Sequence, residues 1–225
     1  MAIVKKINKD FPRPSKALIE RFREAPVANI DDSMDRMQAI DSSIKPIGNQ
    51  GKLLGPAFTV KVAQGDNLFL HAAMDMVQPG DVVVIDAGGY EGRAIFGELM
   101  ATYLKIRGAA GIVCDGAVRD RDEMAALEDF PIYARSATPD GPYKNGPGEI
   151  GTDVVVGGRT VHPGDIVVGD GDGVIFLDPA TAEAVADATD KVIAMEAGIM
   201  DGILQGNYER PWVKAKLKAL GYEID

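Results

Sequence analysis

Three side chains in the segment GELMATYLKIRGAAGIVCDGAVRD, residues 97–120, have the types and the spacing of a reactive site. Glu98 opens a predicted helix, and Arg119 and Asp120 follow the predicted strand that comes after it. In open α/β sheets, ligands bind beyond the carboxyl ends of the strands, and both groups fall at such positions. If the two strands are neighbours, one guanidinium and two carboxylates converge on one pocket.

The start of this helix is also a predicted anion site. The loop GGYEGRAIFGELM, residues 88–100, brings unhindered glycine backbone to the helix N-terminus. Free N–H groups and the helix dipole favour a carboxylate or a phosphate at such a position. The sequence therefore places an anion cradle beside the predicted carboxylates.

The carboxylates of Glu98 and Asp120 are suited to a hard divalent cation if they lie together. Mg²⁺, or Mn²⁺ in its place, takes carboxylate oxygens and keeps several waters. One direct carboxylate, a second that holds a water, and two substrate oxygens would complete an octahedron. The chain contains only His71 and His162, so a polyhistidine zinc site is not expected.

Each of these residues also has an ordinary structural interpretation. Glu98 taken alone could simply complement the helix dipole, and Arg119 beside Asp120 could be a surface ion pair. His71 lies four residues after Asn67 on the preceding predicted helix and could be an ordinary helix histidine. Neither a P-loop nor a dinucleotide-binding fingerprint is present. The run GDGDG lacks the spaced ligands of a calcium loop, and Cys114 is expected to be a buried free thiol.

The elements that would position these residues alternate between strand and helix. From residue 53 onward, strand-like and helical segments follow one another through PIYARS, which predicts α/β architecture with right-handed crossovers. A meander of short strands is predicted for residues 153–177, and it adds a β-rich layer. We expect a single domain over residues 1–225, with N-terminal helices at about 14–40, a core at about 50–180 and C-terminal helices at about 179–221. The first N-terminal helix is predicted to be capped by Ser15 after Pro14, and the second to start near Asn29 or Asp31. The helix ELMATYLKIR is predicted to stop at Gly108.

The composition argues against several classes of partner. The net charge of −10 disfavours a nucleic-acid surface, which needs a concentration of Lys and Arg. No run of about eighteen apolar residues predicts a membrane span, and the N-terminus lacks an apolar stretch of signal-peptide length. We therefore expect a soluble cytoplasmic protein that binds a small molecule.

The residues 97–120 quoted above, with GDN at 65–67 and GPGEIGTDVVVGGRTVHPGDIVVGDGDGV at 146–174, resemble the regulator of ribonuclease activity A family and its metal-dependent aldolases. The resemblance extends from about residue 27 to residue 200. The aldolase motif is an acidic residue, twenty residues, and then Arg-Asp, and Glu98 stands at that spacing before Arg119. The resemblance implies a layered α/β/β/α sandwich like the swivelling β/β/α fold, with peripheral N- and C-terminal helices, assembled as a homotrimer or a homohexamer.

The resemblance also implies roles for the residues at the metal. Asp120 would bind the cation directly, and Glu98 would hold a water on it, although the family's aldolases tend to carry aspartate at this position. Glu196, from the C-terminal helix of a neighbouring subunit, would also approach the metal through water.

The substrate-binding roles follow from the same resemblance. Arg119 would contact the keto oxygen of a 2-oxo acid and stabilise the enolate. Asn67 and His71 would support the substrate from the preceding helix. The backbone amides that would hold the pyruvyl carboxylate are those around Gly97, Glu98, Leu99 and Met100.

The implied reaction is retro-aldol cleavage that releases pyruvate. The substrate would be a 4-hydroxy-2-oxo acid of the 4-hydroxy-4-methyl-2-oxoglutarate or 4-carboxy-4-hydroxy-2-oxoadipate type, with decarboxylation of oxaloacetate as a side activity. A Schiff-base aldolase would need a desolvated lysine, and Lys105 is a weak candidate. Arg93, Arg135 and Lys144 could each bind a distal carboxylate, although each could also be a solvated surface charge.

Two other functions remain to be considered. Members of this family also bind and inhibit a ribonuclease, so a protein-binding regulator without catalysis is the alternative. The regulators lack the acidic residue that this chain keeps at Glu98. Similar sequences are often labelled demethylmenaquinone methyltransferases, but the chain has no glycine-rich loop for a methyl donor.

Overall fold

The structure, a computed structural model, describes residues 7–48 and 51–222 of the chain. Its strands alternate with helices through the first two thirds of the sequence. The strands are β1 (Lys45–Pro46), β2 (Leu53–Val62), β3 (Val82–Ala94), β4 (Gly111–Val118), β5 (Ile132–Ala137), β6 (Gly148–Ile150), β7 (Val154–Val156), β8 (Arg159–Val161), β9 (Ile166–Gly169) and β10 (Val174–Leu177). The helices are α1 (Lys16–Glu20), α2 (Val27–Asp32), α3 (Leu68–Met74), α4 (Glu98–Ile106), α5 (Arg121–Ala125), α6 (Ala182–Leu204) and α7 (Pro211–Ala219).

The main sheet has a parallel centre and antiparallel edges. Its order is β1-β5-β4-β3-β2-β9-β10, and the neighbours from β5 to β2 run parallel. Strand β2 pairs with β9 along its first half and with β6 along its second half. Every residue of β4 is buried, as expected for a parallel strand with both faces covered. Because β3 and β4 are parallel neighbours, their carboxyl ends lie at the same edge of the sheet.

One face of the sheet is covered by the crossover helices α3, α4 and α5. Their apolar residues, among them Leu70, Leu104 and Met124, pack in one cluster with alternate residues of the central strands. Helix α4 ends before Gly108, whose φ of 89° is readily adopted by glycine and ends the helix as the sequence predicts. The helices therefore fix where each crossover returns to the sheet.

The other face is covered by the hairpin of β7 and β8. Val154, Val156 and Val161 pack against inward residues of β3 and β4, including Val84 and Val113. A third cluster joins α2 and the first part of α6 to β9 and β10. The mixed, layered α/β sandwich with outer helices predicted from the sequence is therefore confirmed.

Two buried carboxylates fasten the hairpin to the sheet. Asp115, on β4, accepts a hydrogen bond from the Gly157 N–H at 2.8 Å and a second from the Arg135 guanidinium. Asp86, on β3, accepts from the N–H groups of Gly88 and Val155. Arg135 is thus paired within the fold, so it is neither the solvated surface charge nor the free ligand for a distal carboxylate that the sequence left open.

Other predicted boundaries also change. The second helix begins at Val27, directly after Pro26, rather than near Asn29 or Asp31. Most of the predicted glycine loop at 88–94 is strand, because β3 continues to Ala94 with two shifts of register against β4. The predicted cap is confirmed, since the Ser15 hydroxyl accepts from the Leu18 N–H at 3.2 Å.

Among the residues described, no helix is both long enough and apolar enough to cross a bilayer.

The ion pair of Asp115 and Arg135 gives a test of this packing. The side chains of Asp115 and Arg135 are only 7% and 16% exposed. Replacing Asp115 by Ala leaves the guanidinium without its nearest carboxylate, which should lower the free energy of unfolding by about 3–5 kcal/mol. Urea unfolding followed by circular dichroism, at fixed protein concentration, measures this loss.

The matched control is Arg36→Ala, which removes an exposed ion pair with Asp32. That change should cost about 0–1 kcal/mol because solvent screens exposed charges. An Asp115→Ala protein as stable as the Arg36→Ala protein would contradict the structural role of the buried pair.

Candidate active site

Backbone hydrogen bonds join the end of β4 to the segment between β3 and α4. The Ile95 N–H donates to the Ala117 carbonyl at 2.9 Å, and the Arg119 N–H donates to the Phe96 carbonyl at 3.0 Å. These bonds hold Ile95 and Phe96, which lie just before the N-cap residue of α4, beside the end of β4. They bring Glu98 next to Arg119 and Asp120, as the predicted neighbouring strands require.

Asp120 is held in a left-handed backbone conformation, with φ 55° and ψ 45°. Aspartate is among the few residues that enter this region, and such strain is often found at functional sites. Oδ2 of Asp120 accepts from the Glu98 N–H at 3.2 Å and lies 3.5 Å from Nε of Arg119. The conformation thus turns the carboxylate toward the first turn of α4.

Gly97 makes this close approach possible. Gly97 is buried, its backbone is extended, and it is the N-cap residue of α4, although it has no side chain that could cap the helix. A Cβ atom there would lie 2.1 Å from Oδ2 of Asp120 and 2.9 Å from Cγ of Arg119. Every residue other than glycine would therefore push the carboxylate or the arginine away.

The first turn of α4 supplies donors for an anion. Backbone N–H groups in the first turn of a helix have no partner within the helix. The Glu98 N–H donates to Asp120. The next two N–H groups along the helix belong to Leu99 and Met100, which line the cleft. The helix dipole adds positive potential at the same place.

Asn67 and His71 form the wall contributed by α3. Asn67 is 2% exposed and donates through Nδ2 to the Ile95 carbonyl at 2.8 Å, while its Oδ1 has no hydrogen-bond partner among the described residues. Burial, with a smaller effect from the charge of Lys144, lowers the pKa of His71. His71 is therefore neutral at pH 7 and can donate or accept a hydrogen bond.

These walls enclose a cleft of about 420 Å³. That volume is within the range of small-molecule sites. The described residues that line it are Asn67, His71, Phe96, Gly97, Leu99, Met100, Arg119, Asp120, Gly141, Pro142 and Lys144. The sequence predicted most of this set. It indicated the loop of Gly141, Pro142 and Lys144 only as a region where distal groups could bind.

Glu196 lies elsewhere in the same protomer. It is exposed on α6, and its Oε2 accepts from Nδ2 of Asn29 at 2.6 Å. It does not line the cleft of its own chain. Lys105 is also outside the cleft, because its ammonium donates to the Glu128 carbonyl from the far end of α4. Lys105 is therefore not placed to form a Schiff base with a ligand in this cleft.

The carboxylates present fit a hard cation better than a soft one. Asp120 is 38% exposed and Glu98, beside it, is half-buried, so both can reach water. Glu98 itself is not among the residues that line the cleft. In residues 7–48 and 51–222, no three His, Cys, Asp or Glu side chains cluster in a way that could hold a metal. A site in one protomer would therefore rely on water, substrate oxygens or a second subunit, which suits Mg²⁺ and not zinc.

A larger cavity of about 760 Å³ lies at the opposite, amino-terminal edge of the parallel strands. Two of its cations are already paired, Arg13 with the buried Asp81 and Arg23 with Glu20. In open α/β sheets, ligands bind at the carboxyl edge instead. Chemistry and topology therefore both favour the smaller cleft.

Comparison with known proteins places the chain among relatives of two kinds. A protein of Halalkalibacterium halodurans named "Putative 4-hydroxy-4-methyl-2-oxoglutarate aldolase" is 40% identical over 190 residues, which are 83% of this chain and 90% of that protein. The structure of Streptomyces coelicolor RraAS2, described as an unusual member of the RNase ES inhibitor RraA protein family, superposes with a TM-score of 0.75 at 27% identity. It covers 82% of this chain and 97% of that one.

A second solved structure is similar over a shorter part of the chain. The RNA-processing inhibitor RraA from Thermus thermophilis matches with a TM-score of 0.63 at 29% identity, covering 68% of this chain and 93% of that one. The family model RraA-like, Aldolase/RraA, matches residues 27–176, which contain the whole cleft described above. The chain is therefore a member of the RraA-like family of aldolases and RraA proteins.

Proposed function

We propose that this chain is a divalent-metal-dependent lyase. Its substrate would be a 4-hydroxy-2-oxo di- or tricarboxylic acid, of the 4-hydroxy-4-methyl-2-oxoglutarate or 4-carboxy-4-hydroxy-2-oxoadipate type, and pyruvate would be released. The observation that carries the proposal is the Asp120 carboxylate, held beside Arg119 at the first turn of α4. The relative named as an aldolase supports the same reaction.

Asp120 would bind the metal directly, and Glu98 would act through a water. Both of the contacts found for the Asp120 side chain among the described residues use Oδ2, so Oδ1 can face a cation. When bound, Mg²⁺ or Mn²⁺ would supply positive charge to the oxygen of the developing enolate.

The protein groups would then bind and orient the 2-oxo acid. The Leu99 and Met100 N–H groups would hold its carboxylate, and the Arg119 guanidinium would donate to its keto oxygen. Asn67 would keep this wall in place through its bond to the Ile95 carbonyl. In this pose the substrate carbon chain leads away from α4, toward His71 and the loop at 141–144.

The cleavage can be followed atom by atom. A water held by Glu98 takes the proton of the C4 hydroxyl, the C3–C4 bond breaks, and C4 becomes a carbonyl carbon. The electron pair of that bond forms the pyruvate enolate, whose oxygen lies against Arg119, and protonation at C3 gives pyruvate. Loss of CO₂ from oxaloacetate yields the same enolate, so the same groups would support decarboxylation.

The alternative is a protein-binding regulator without catalysis. Two similar structures are described as inhibitors of RNA processing or of a ribonuclease, which favours this possibility. The position of Asp120 in the cleft, with Glu98 next to it at the start of α4, favours catalysis instead, because a binding surface has no need for two carboxylates around an anion cradle.

Asp120→Asn tests the proposed chemistry. The change keeps the side chain's size and removes its charge, so pyruvate release from 4-hydroxy-4-methyl-2-oxoglutarate and from oxaloacetate should fall by about 10²–10³, the usual cost of losing an electrostatic group at a reacting centre. Chelation of the metal should have the same effect on the wild type. A coupled assay for pyruvate measures both.

Asp122→Asn is the matched control, since Asp122 lies two residues later on α5 and does not line the cleft. It should retain most of the wild-type rate. If metal-loaded, folded wild type releases no pyruvate from either substrate, the regulator becomes the better interpretation, and a binding assay with a ribonuclease would follow.

We further propose that the protein assembles as a homotrimer or a homohexamer, with the site shared between subunits. The buried residues of α6 end at Thr189, and α7 has none. The part of α6 after Thr189 and the whole of α7 form a C-terminal arm. This arm carries four apolar side chains that are more than half exposed, those of Met195, Ile203, Leu204 and Trp212. Exposed apolar area of this extent usually marks an interface.

Helix α4 presents a surface that the arm of another subunit could cover. Leu99 and Ile106 are 80% and 81% exposed, and Tyr103 between them is 41% exposed. Their spacing of four and three residues puts them on one side of the helix, next to the cleft. An arm packed there could bring the partner subunit's Glu196 toward Asp120 and Glu98.

Co-expression of two inactive proteins tests the shared site. Asp120→Asn and Glu196→Gln subunits, each impaired alone, should together recover roughly one quarter of wild-type activity, because random closed assembly pairs an intact Asp120 with an intact Glu196 at that frequency. Light scattering on the same samples should give three or six copies. The shared site would be contradicted if the co-expressed sample had no more activity than the two variants have separately, or if light scattering showed a monomer.

A further inference from the structure

The loop at 140–145 is a fixed wall of the cleft. The Ala94 N–H donates to the Asp140 carbonyl at 2.8 Å, and the Tyr143 N–H donates to the Gly65 carbonyl at 2.8 Å. The Asn67 N–H in turn donates to the Tyr143 carbonyl at 3.0 Å. These backbone bonds tie the loop both to the end of β3 and to the start of α3.

Side chains strengthen the same connection. Nη1 of Arg93 donates to the Gly141 carbonyl at 2.8 Å, and its guanidinium lies 4.3 Å from the centre of the Tyr143 ring. Asp66, which is 4% exposed, accepts from the N–H groups of Leu68 and Asn145. Arg93 is therefore committed to the loop and is not available for the distal carboxylate suggested by the sequence.

The loop also reaches the catalytic side of the cleft. A Cβ atom at Gly141 would lie 3.4 Å from Nη1 of Arg119. Three residues along the chain, Lys144 lines the same cleft from the side of His71. The wall therefore spans the cleft from Arg119 to Lys144.

Among the described residues of this wall, Lys144 is the cationic residue without an acidic partner. In the described part of the chain, its ammonium makes no ion pair, whereas Arg135 is paired with Asp115. Lys144 lies between Tyr143, whose carbonyl accepts from the Asn67 N–H, and Asn145, whose N–H donates to Asp66, so the backbone places it beside the start of α3. Of the described residues that line the cleft, Lys144 is the lysine and Arg119 is the arginine.

We infer that Lys144 binds the distal carboxylate of the substrate and makes the cleft selective for 2-oxo acids with a second carboxylate. This inference rests on the proposed function, since it assumes that the 2-oxo end lies at Arg119 and α4. A 2-oxo dicarboxylic acid matches the charges of this arrangement, because its two carboxylates would face the helix N-terminus at one end and an ammonium at the other. Neutral His71 can add a hydrogen bond at the distal end.

The experiment uses two acids of equal length that cannot be cleaved. 2-Oxoglutarate has a distal carboxylate, and 2-oxopentanoate has a methyl group at that end. Lys144→Gln, titrated with each acid in the presence of Mg²⁺ by calorimetry, should bind 2-oxoglutarate about tenfold more weakly than wild type, the usual cost of a lost charge-assisted hydrogen bond. Binding of 2-oxopentanoate should change by less than about twofold.

Lys61→Gln is the control for general loss of positive charge. Lys61 is an exposed lysine on β2, with its ammonium 3.9 Å from Asp86, and it does not line the cleft. It should leave both affinities unchanged, and Lys144→Arg should retain most of the preference for 2-oxoglutarate.

Three results would distinguish this inference from the proposed reaction. An equal loss for both acids, or no loss for either, in Lys144→Gln overturns the role of Lys144. Wild type that binds neither acid also overturns it. Wild type that binds 2-oxoglutarate selectively, but releases no pyruvate from 4-hydroxy-2-oxo acids, overturns the lyase while the selectivity assigned to Lys144 stands.

Discussion

The site depends on the backbone contact between the end of β4 and the residues that lead into α4. Two hydrogen bonds, from Ile95 to Ala117 and from Arg119 to Phe96, hold these segments side by side. They bring a helix N-terminus and an Arg-Asp pair together from two separate crossovers. The Asp120 carboxylate and the N-terminus of α4 would otherwise be far apart, and the left-handed backbone of Asp120 turns its carboxylate toward the Glu98 N–H.

The same contact explains why the neighbourhood needs glycine and tight packing. The Asp120 carboxylate occupies the space that a Cβ atom at residue 97 would need, so glycine at this position leaves room for the carboxylate. Below it, β4 is buried throughout, and the carboxylates of Asp86 and Asp115 are used to hold the β7 and β8 hairpin. Successive acidic residues along neighbouring strands thus serve different purposes: those inside the sheet stabilise the fold, and the one beyond its edge faces the cleft.

The sequence predicted those parts of the molecule that depend on local rules. The start of α4 at Glu98, its end before Gly108 and the burial of β4 follow from capping, glycine and hydrophobic run length. The continuation of β3 through Gly88 and Gly89 did not follow, because those glycines take positive φ and lie in the register shift between the pairs Asp86–Asp115 and Tyr90–Gly116. The distinction among Arg93, Arg135 and Lys144 also required the structure. The partners of Arg93 and Arg135 lie far away in sequence, and only those partners show that both guanidinium groups are already engaged.

The placement of the acidic residues also bears on how one family can contain proteins named as aldolases and proteins named as inhibitors. Asp120 is more than one third exposed and Glu98 is half-buried, so neither side chain contributes to the buried clusters that hold the sheet together. Exposed charges of this kind add little to stability, and they can be lost at little cost to the fold. Loss of Asp115 would be different, because the hairpin depends on it. The fold can therefore remain unchanged while a few side chains at one edge of the sheet differ, and a shared fold alone does not fix the function.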